Sequence, residues 1–347
     1  MKKVLLAVVG ILFAATSFAQ NALVASLSHG TSTTYFYGVT ALQQAVKTAQ
    51  SGDIISLSGG SFNATDITIG ITLRGAGIDS PEPTYIVGDF TIEIPGDDVN
   101  RFMMEGIRCT NSLLINGTFA NPFFQKCQFN EVGNYGGVTV TNIMFSNCKI
   151  TKSFGPRGNN SYILVNCFIN NTTVSESESA TVTATNCIFA EPTGFHVYCY
   201  ERCQLFNCII ISLNGKGGYN DYSGETRWIP SNSQAQNCYM VNFPEFDIFG
   251  KLSVRTGCPT TSLSYGMVFK TYNGEYSDTE TFELTETAKT TYLGTDEKQI
   301  GLYGGLQPYD STPSYPLIST MNLPDPAKTN DQGKMNVTIG ISSPAAE

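Results

Sequence analysis

The feature that most constrains the fold is an Asn-Cys dipeptide that recurs about every 20 residues through the middle of the chain. Six cysteines follow one another at intervals of 18, 21, 19, 20 and 21 residues, and two more follow after 30 and 20: Cys109, Cys127, Cys148, Cys167, Cys187, Cys208, Cys238 and Cys258. Asparagine precedes five of them, at positions 147, 166, 186, 207 and 237. A repeat of this period is typical of a solenoid, in which each repeat forms one rung and stacks on its neighbours.

The register of the repeat follows from the alternation of side chains along a strand. Each Cys and the residue two later, such as Cys148 and Ile150, are predicted to point together into a core. The preceding inward residue stands three positions before the Cys, so the alternation breaks at the Asn. We interpret the break as a corner between two strands. Asn suits such a corner because it tolerates the left-handed conformation and its amide bonds nearby backbone groups.

Ten cysteines in an exported chain would ordinarily indicate disulfides. Here the cysteines should stack at about 4.8 Å, the spacing of parallel strands. Side chains that leave a sheet in parallel keep their β-carbons farther apart than a disulfide prefers. We therefore expect a reduced, buried Cys ladder beside an Asn ladder, with paired cysteines as the alternative.

The N-terminus predicts export. Lys2 and Lys3 precede an apolar run over residues 4–15, and Ser17-Phe18-Ala19 offers the small residues of a cleavage site, so residues 1–19 are expected to be a signal peptide. The apolar run is too short to span a membrane, and no Cys follows it where a lipid anchor would attach. The expected location is periplasmic, cell-surface or extracellular.

A helix is expected before the first rungs. Thr40-Ala41-Leu42-Gln43 reads as a capping box, Leu42, Ala45, Val46 and Ala49 share one face, and Gly52 ends the helix. Short strands are expected at 54–57, 67–69 and 71–73.

Two segments resemble a known family. The run from Ala41 to Gly77 resembles the N-terminal cap and first rung of pectate-lyase-like β-helix proteins, and the run from Phe282 to Gly305 is similar to the closing segment of secreted β-helix proteins of the Bacteroidetes type. The resemblance implies a right-handed parallel β-helix over residues 20–305. The superfold hosts lyases, hydrolases, epimerases and adhesins, so the resemblance transfers no catalytic residue.

Residues 306–347 form a C-terminal extension interrupted by prolines at positions 308, 313, 316, 324 and 326. Residues 335–341 alternate like a strand, and residues 315–321 could pair with them. The extension is interpreted as a hairpin or cap, or alternatively as a linker and strand that docks on another protein.

A longer interval between Cys208 and Cys238 marks an inserted loop over residues 215–228, which holds the only Trp. Aromatic faces cover the apolar faces of sugars while carboxylates and Arg bond hydroxyls. The candidate ligand-binding residues are Tyr219, Asp221, Tyr222, Glu225, Arg227 and Trp228. The alternative is an ordered turn whose Trp228 packs on the solenoid wall.

Catalysis has weaker support in the sequence. A lyase needs a base of lowered pKa, and the bases near the rungs are Lys152, Arg157, Arg202, Lys216 and Arg227. The nearby carboxylates Glu176, Glu178, Glu201, Asp221 and Glu225 form no clustered Ca²⁺ site of the pectate-lyase kind. Hydrolysis needs two facing carboxyl groups. Asp221, Glu225 and Arg227 are weak catalytic candidates, and solvated loop residues are the alternative.

No metal or other cofactor is expected. His196, Cys199 and Cys203 have metal-like spacing, but Cys203 occupies an inward position, so a local Cys199–Cys203 disulfide, or none, is favoured over zinc. Glu176-Ser177-Glu178 could bind Ca²⁺, although a solvated turn is the simpler interpretation.

The charge balance narrows the partners. The formal charge of −9 and the absence of a basic cluster argue against nucleic acid and anionic membranes. Two hypotheses stand: a binding or structural module that engages extracellular glycans through its loops, or a polysaccharide lyase or glycoside hydrolase acting beside the Trp228 loop.

Overall fold

The structure is a computed structural model that describes residues 23–99, 101–133, 139–156, 158–170, 180–191, 203–212, 219–220, 226–227, 233–243, 253–322 and 338–342. The signal peptide expected at 1–19 lies outside these residues, so it stays a prediction.

Most of the described chain is short β-strands. The strands of the N-terminal part are β1 (Val24–His29), β2 (Ser32–Tyr37), β3 (Ile54–Leu57), β4 (Gly60–Asn63), β5 (Thr72–Arg74), β6 (Thr84–Val87), β7 (Phe90–Ile94), β8 (Met103–Glu105) and β9 (Ile107–Gly117). The middle part contains β10 (Phe123–Gln125), β11 (Gln128–Gly133), β12 (Ile143–Ser146), β13 (Lys149–Phe154), β14 (Ser161–Val165), β15 (Phe168–Asn170), β16 (Thr181–Thr185), β17 (Ile188–Glu191), β18 (Cys203–Phe206) and β19 (Ile209–Ser212). The last strands are β20 (Tyr219–Asn220), β21 (Thr226–Arg227), β22 (Gln234–Gln236), β23 (Tyr239–Val241), β24 (Val254–Thr256), β25 (Leu317–Asn322) and β26 (Thr338–Ser342). Three helices accompany them: α1 (Ala41–Thr48), α2 (Tyr265–Val268) and α3 (Glu286–Thr291).

The strands form two long sheets that run the length of a solenoid. Sheet 1 has the order β2-β1-β3-β5-β8-β10-β12-β14-β16-β18-β22-β24, and sheet 2 has the order β23-β19-β17-β15-β13-β11-β9-β6-β4 with β7 also on β9. From β3 onward every pairing within the two sheets is parallel. Sheet 2 is parallel throughout. The predicted parallel β-helix is confirmed, with about seven turns of about 21 residues.

The corner that joins sheet 1 to sheet 2 has the left-handed conformation predicted for it. All five Asn residues of the motif have φ between 49° and 56°. The neighbouring rungs place Gly106, Lys126 and Gly257 at the same corner, also with positive φ. We call the eight residues the corner column: Gly106, Lys126, Asn147, Asn166, Asn186, Asn207, Asn237 and Gly257.

The prediction that Cys109 belongs to the Cys ladder is wrong. Cys109 pairs with Phe129, which stands two residues after Cys127, so its side chain occupies the second inward position of its rung. Ile107 fills the ladder position instead, because the corner of this rung lies at Gly106. The interval of 18 residues was therefore two residues short of the true rung.

The remaining cysteines of the repeat are buried as predicted, except Cys258, which is half-buried. Cys127, Cys148, Cys167, Cys187 and Cys208 are reduced and inaccessible to solvent. Each thiol donates to the carbonyl two residues earlier, for example Cys148 Sγ to Ser146 O at 3.3 Å. That carbonyl lies at the turn into the corner, so Cys supplies a small apolar side chain and a weak donor at once. Burial raises the pKa of the Cys148 and Cys187 thiols well above the ordinary value.

Aromatic rings fill the inside of the solenoid. Phe124 and Phe145 are neighbours in adjacent rungs of sheet 1 and stack with ring centroids 4.7 Å apart, and the ring of Phe102, just before β8, lies 5.8 Å from that of Phe124. Phe129 meets both of these rings edge-on from sheet 2. The rings therefore tie the two sheets together across the core.

A hairpin and a helix close the N-terminal end. Strands β1 and β2 pair antiparallel and extend sheet 1 beyond β3. The helix α1 buries Ala41, Leu42 and Ala45, as its apolar face predicts. The predicted capping box is wrong, because the Thr40 side chain makes no capping bond and instead accepts from Gln44 Nε2.

The C-terminal part packs on the outside of sheet 2, where a second apolar cluster lies. Outward side chains of sheet 2 meet side chains from residues 263–302 in this cluster, which contains Phe168, Ile188, Ile209, Val241, Val268, Phe269, Phe282, Leu284, Ala288, Ile300 and Leu302. The apolar residues directly after Cys in these rungs, Phe168, Ile188 and Ile209, are therefore buried although they point outward.

Residues 293–315, which we call the strap, run back along the corner column toward the N-terminal end. Asn237 Nδ2 donates to Leu293 O, Asn207 Oδ1 accepts from Thr295 N, and Asn166 Nδ2 donates to Leu302 O and Gly304 O. Farther along, Lys126 Nζ bonds Asp310 and Thr312 O, and Tyr315 OH bonds Gly75 O. The Asn amides were expected to bond local backbone groups. Asn166, Asn207 and Asn237 bond the strap instead.

The strap lies close to the solenoid at its glycines. A β-carbon on Gly305, whose φ is +80°, would collide with the Asn186 amide. Beyond the strap, β25 and β26 pair antiparallel, as expected for residues 315–321 and 335–341. None of the described helices has the length and apolar character needed to cross a bilayer.

Candidate functional site

A cleft opens where the apolar cover of sheet 2 gives way to polar residues. One outward position of sheet 2 carries, in successive rungs, Tyr85, Arg108, Gln128, Lys149, Phe168, Ile188, Ile209 and Tyr239. The cleft lies at Arg108 and Lys149 and has a volume of about 550 Å³. Its walls come from the loop at Asp79, from residues 278–281 and from the strap at 302–311.

Arg108 joins the cleft floor to two walls. Its Nε donates to Ile78 O at 2.6 Å, and its terminal nitrogens lie 3.4 Å from Asp79 Oδ1 and 3.5 Å from Asp278 Oδ2. The guanidinium also lies over the Tyr85 ring, 5.8 Å from its centroid. Arg108 is therefore held by several partners and does not need a ligand to fix its geometry.

Asp278 is the most heavily bonded acid of the cleft. Its Oδ1 accepts from Gln128 Nε2 at 3.2 Å and from Tyr276 OH at 3.1 Å, and its Oδ2 faces Arg108. Burial raises the pKa of the Tyr276 phenol, and the Asp278 charge raises it further. Tyr276 thus stays protonated and donates to Asp278. Gln128 Oε1 is buried and has no hydrogen-bond partner among the described residues.

Lys149 occupies the centre of the floor and is 5 % exposed. Its Nζ lies over the Tyr309 ring, 5.8 Å from the centroid. Among the described residues, Lys149 has no carboxylate within ion-pair distance. Burial lowers the pKa of Lys149, and Arg108 lowers it further, while Asp79, Asp278 and Glu280 oppose the shift.

The strap supplies the aromatic side of the cleft. Tyr303 and Tyr309 pack edge to face with ring centroids 6.0 Å apart, and Tyr303 OH donates to Thr281 O at 2.9 Å. The Tyr309 hydroxyl is buried and has no hydrogen-bond partner in the described part of the chain. Below it, Asp310 pairs with Lys126 at 2.9 Å, which anchors the strap to the corner column.

This arrangement suits a hydroxylated ligand. Ligand sites combine concave shape and aromatic surface with a few well-placed polar groups, and a volume of a few hundred Å³ is typical. The cleft offers tyrosine faces, carboxylate acceptors at Asp278 and Glu280, and donors at Arg108 and Lys149. Lys149 also provides an amine with a lowered pKa, the property that a general base requires.

The site residues expected from the sequence belong to the inserted loop. Strands β20 and β21 form a short antiparallel pair, with Tyr219 opposite Arg227, inside the inserted loop. Asp221, Tyr222, Glu225 and Trp228, and the side chains of Tyr219 and Arg227, are outside the described structure, so their role stays a prediction.

The other predicted bases and acids have a similar outcome. Lys152 is exposed on β13. The remaining residues fall outside the described ranges: Arg157, Arg202, Lys216, Glu176, Glu178, Glu201, His196 and Cys199. Cys203 is buried on β18, at the inward position predicted for it. The described residues contain no group of three or more His, Cys, Asp or Glu side chains placed to share an ion.

Sequence reasoning missed Arg108, Gln128 and Lys149. The available signal was the residue two positions after each corner, which directly follows the first inward residue of the rung. That position is apolar in four later rungs and polar in three earlier ones, which marks where an outer cover ends. The strap side of the cleft had no comparable signal.

Comparison of the chain with family models, with curated proteins and with solved structures found no match. The pectate-lyase-like and Bacteroidetes resemblance therefore rests on the residues quoted above, and the structure supports the parallel β-solenoid itself.

Proposed function

We propose that this protein is an exported β-solenoid that binds extracellular glycans, and that the cleft at Arg108, Lys149 and Tyr303 is its binding site. The observation that carries the proposal is the change from apolar to polar residues along one outward column of sheet 2, at the place where tyrosines of the strap stand beside it. Export is supported by the sequence pattern of residues 1–19.

The inserted loop extends the same proposal. Its aromatic and charged residues Tyr219, Asp221, Tyr222, Glu225, Arg227 and Trp228 have the composition of a sugar-binding loop, and the backbone pairing of Tyr219 with Arg227 gives that loop a hairpin base. The cleft and the loop are separable by mutation, because they share no residue.

A second candidate is a polysaccharide lyase or glycoside hydrolase. The observation that favours a lyase is Lys149, a buried amine whose lowered pKa increases the fraction of free base at neutral pH. In an eliminative cleavage this amine would take the proton from the carbon next to the sugar's carboxylate, a carbon–carbon double bond would form, and the glycosidic C–O bond would break, with solvent protonating the leaving oxygen. The hydrolase alternative still depends on Asp221 and Glu225.

The test is a binding and product assay against plant, host and bacterial polysaccharides. Retardation in affinity gels measures binding, while ultraviolet absorbance of unsaturated ends and the release of reducing ends measure cleavage. Tyr303→Ala should weaken retardation if the cleft binds, and Trp228→Ala should weaken it if the loop binds. Tyr37→Ala is the matched control, because Tyr37 is 63 % exposed on the distant N-terminal hairpin. Retardation that neither site variant reduces would contradict both locations, and products would favour the enzyme.

A further inference from the structure

The charges of the cleft are unevenly satisfied. Arg108 is shared between Asp79 and Asp278, and Lys126 below the cleft is taken by Asp310. Glu280 is held within its own loop, where its Oε1 accepts from Thr271 Oγ1 and Phe282 N. Of the two cations that line the cleft, Arg108 is paired with carboxylates, whereas Lys149 forms no ion pair with any described residue.

The position of Lys149 points its charge toward the ligand space. The residue is nearly fully buried, flanked by Arg108 two rungs away and by the Tyr309 ring, and it lines the cleft. A buried ammonium without a partner is costly, whereas an anion placed beside it forms a charge-assisted hydrogen bond in a partly dehydrated site. The cleft is consequently built to accept one negative group at this point.

The rest of the cleft disfavours further negative charge. Four carboxylates line it, at Asp79, Asp278, Glu280 and Asp310, against the two cations Arg108 and Lys149. A ligand with an acid on every unit would set several charges against these carboxylates, and like charges at close range cost free energy.

We infer that the cleft selects saccharides with a single carboxylate, which Lys149 binds, and rejects polyanionic chains. This inference rests on the proposed function and adds to it the ligand class. Hydroxyl groups on either side of the acid would face Asp278, Glu280 and the ring of Tyr303.

The experiment uses the whole mature protein and a glycan array with three groups of oligosaccharides: neutral, single-carboxylate and polyuronate. Every single-carboxylate member is paired with its methyl ester, and sulfated members of the same saccharides test whether another anion substitutes. Affinities of the bound members are then measured by titration calorimetry for the wild type, Lys149→Met and Lys152→Met. Lys152 is the matched control, since it is an exposed lysine on the same strand.

The expected result is binding concentrated in the single-carboxylate group. Methyl esterification should weaken it about tenfold or more, the effect of losing one hydrogen bond to a charged group. Lys149→Met should weaken the acid by a similar factor and leave the ester unchanged, while Lys152→Met changes neither. The ester comparison needs only wild-type protein, so it decides the question even if Lys149→Met folds poorly.

Three outcomes would overturn the inference. Equal binding of acids and esters, or preferential binding of sulfated members, would leave the glycan-binding proposal in place and remove the single-carboxylate selectivity. Strongest binding of polyuronates would show that the four carboxylates do not exclude polyanionic chains, and would likewise remove the selectivity while leaving the glycan-binding proposal in place. Failure of every array member to bind would remove both the inference and the proposed function.

Discussion

Asn166 gives the sharpest test of how the strap is held. Its amide nitrogen donates to Leu302 O at 2.7 Å and to Gly304 O at 2.9 Å, and its φ of 49° is left-handed. Asn166→Gly keeps the backbone conformation, as Gly106 and Gly257 do in the same column, but removes both hydrogen bonds. At about 1 kcal/mol per bond, the strap should lose about 2 kcal/mol of docking free energy.

Two further variants separate the backbone effect from the amide effect. Asn166→Ala adds a left-handed penalty of about 1 kcal/mol to the same loss of bonds. Asn147→Gly is the matched control, because Asn147 occupies the same corner and its buried Oδ1 has no hydrogen-bond partner in the described part of the chain. Asn147→Gly should cost only the extra flexibility of glycine, about 0.5–1 kcal/mol.

The assay is limited trypsin digestion at Lys298, an exposed residue of the strap. Cleavage that follows rapid opening tracks the open population, so a loss of 2 kcal/mol should speed cleavage about thirtyfold. Mass spectrometry identifies the cut, and urea unfolding followed by circular dichroism checks that the solenoid persists. Equal cleavage rates for Asn166→Gly and Asn147→Gly would refute the claim that the Asn166 amide holds the strap.

Three other predictions follow from the buried charges and thiols. Lys149→Met should raise the free energy of unfolding at pH 7. Because the pKa of Lys149 is lowered in the folded protein, the wild type gains stability as pH rises toward about 10.4, the pKa of an unfolded lysine. Urea titrations at pH 7 and pH 10.5 should therefore show the advantage of Met disappearing. Asp310→Asn should abolish a contribution to stability that is complete above about pH 4 and is lost at lower pH. Partial burial raises the pKa of Asp310, but the hydrogen bonds from Thr312 N–H and Lys126 outweigh burial and leave the pKa lowered. Unfolding at pH 7 and at pH 3 measures this contribution. Alkylation of the native protein should reach half-buried Cys258 well before Cys148, and equal labelling of both thiols would contradict a closed ladder.

The inner half of the fold was predictable because it follows local rules. Strand alternation placed Cys148 and Ile150 in the core, and the break at Asn147 located the corner and its left-handed conformation. The error at Cys109 arose because residue type was used to set the register. The corner at Gly106, where φ is positive as at the Asn corners, would have given the correct register.

The outer half depends on contacts between residues far apart in sequence. Asn166 bonds a carbonyl 136 residues away, and Lys126 bonds Asp310 at a separation of 184. No local periodicity reports such a pairing, so neither the strap nor the cleft wall at Tyr309 could be located in advance. The buried residue two positions after each corner, such as Phe168 after Asn166, was the one trace that the outer cover left in the sequence.

The direction of the strap imposes an order on biosynthesis. Rungs can stack in the order in which the exported chain emerges, because each needs only its predecessor, but the strap emerges after all of them and returns past Asn237, Asn207 and Asn166 to reach Lys126. Until residue 311 emerges, Lys149 faces open water in a furrow without a second wall. An emerging chain can therefore hold a finished solenoid while the cleft at Lys149 does not yet exist.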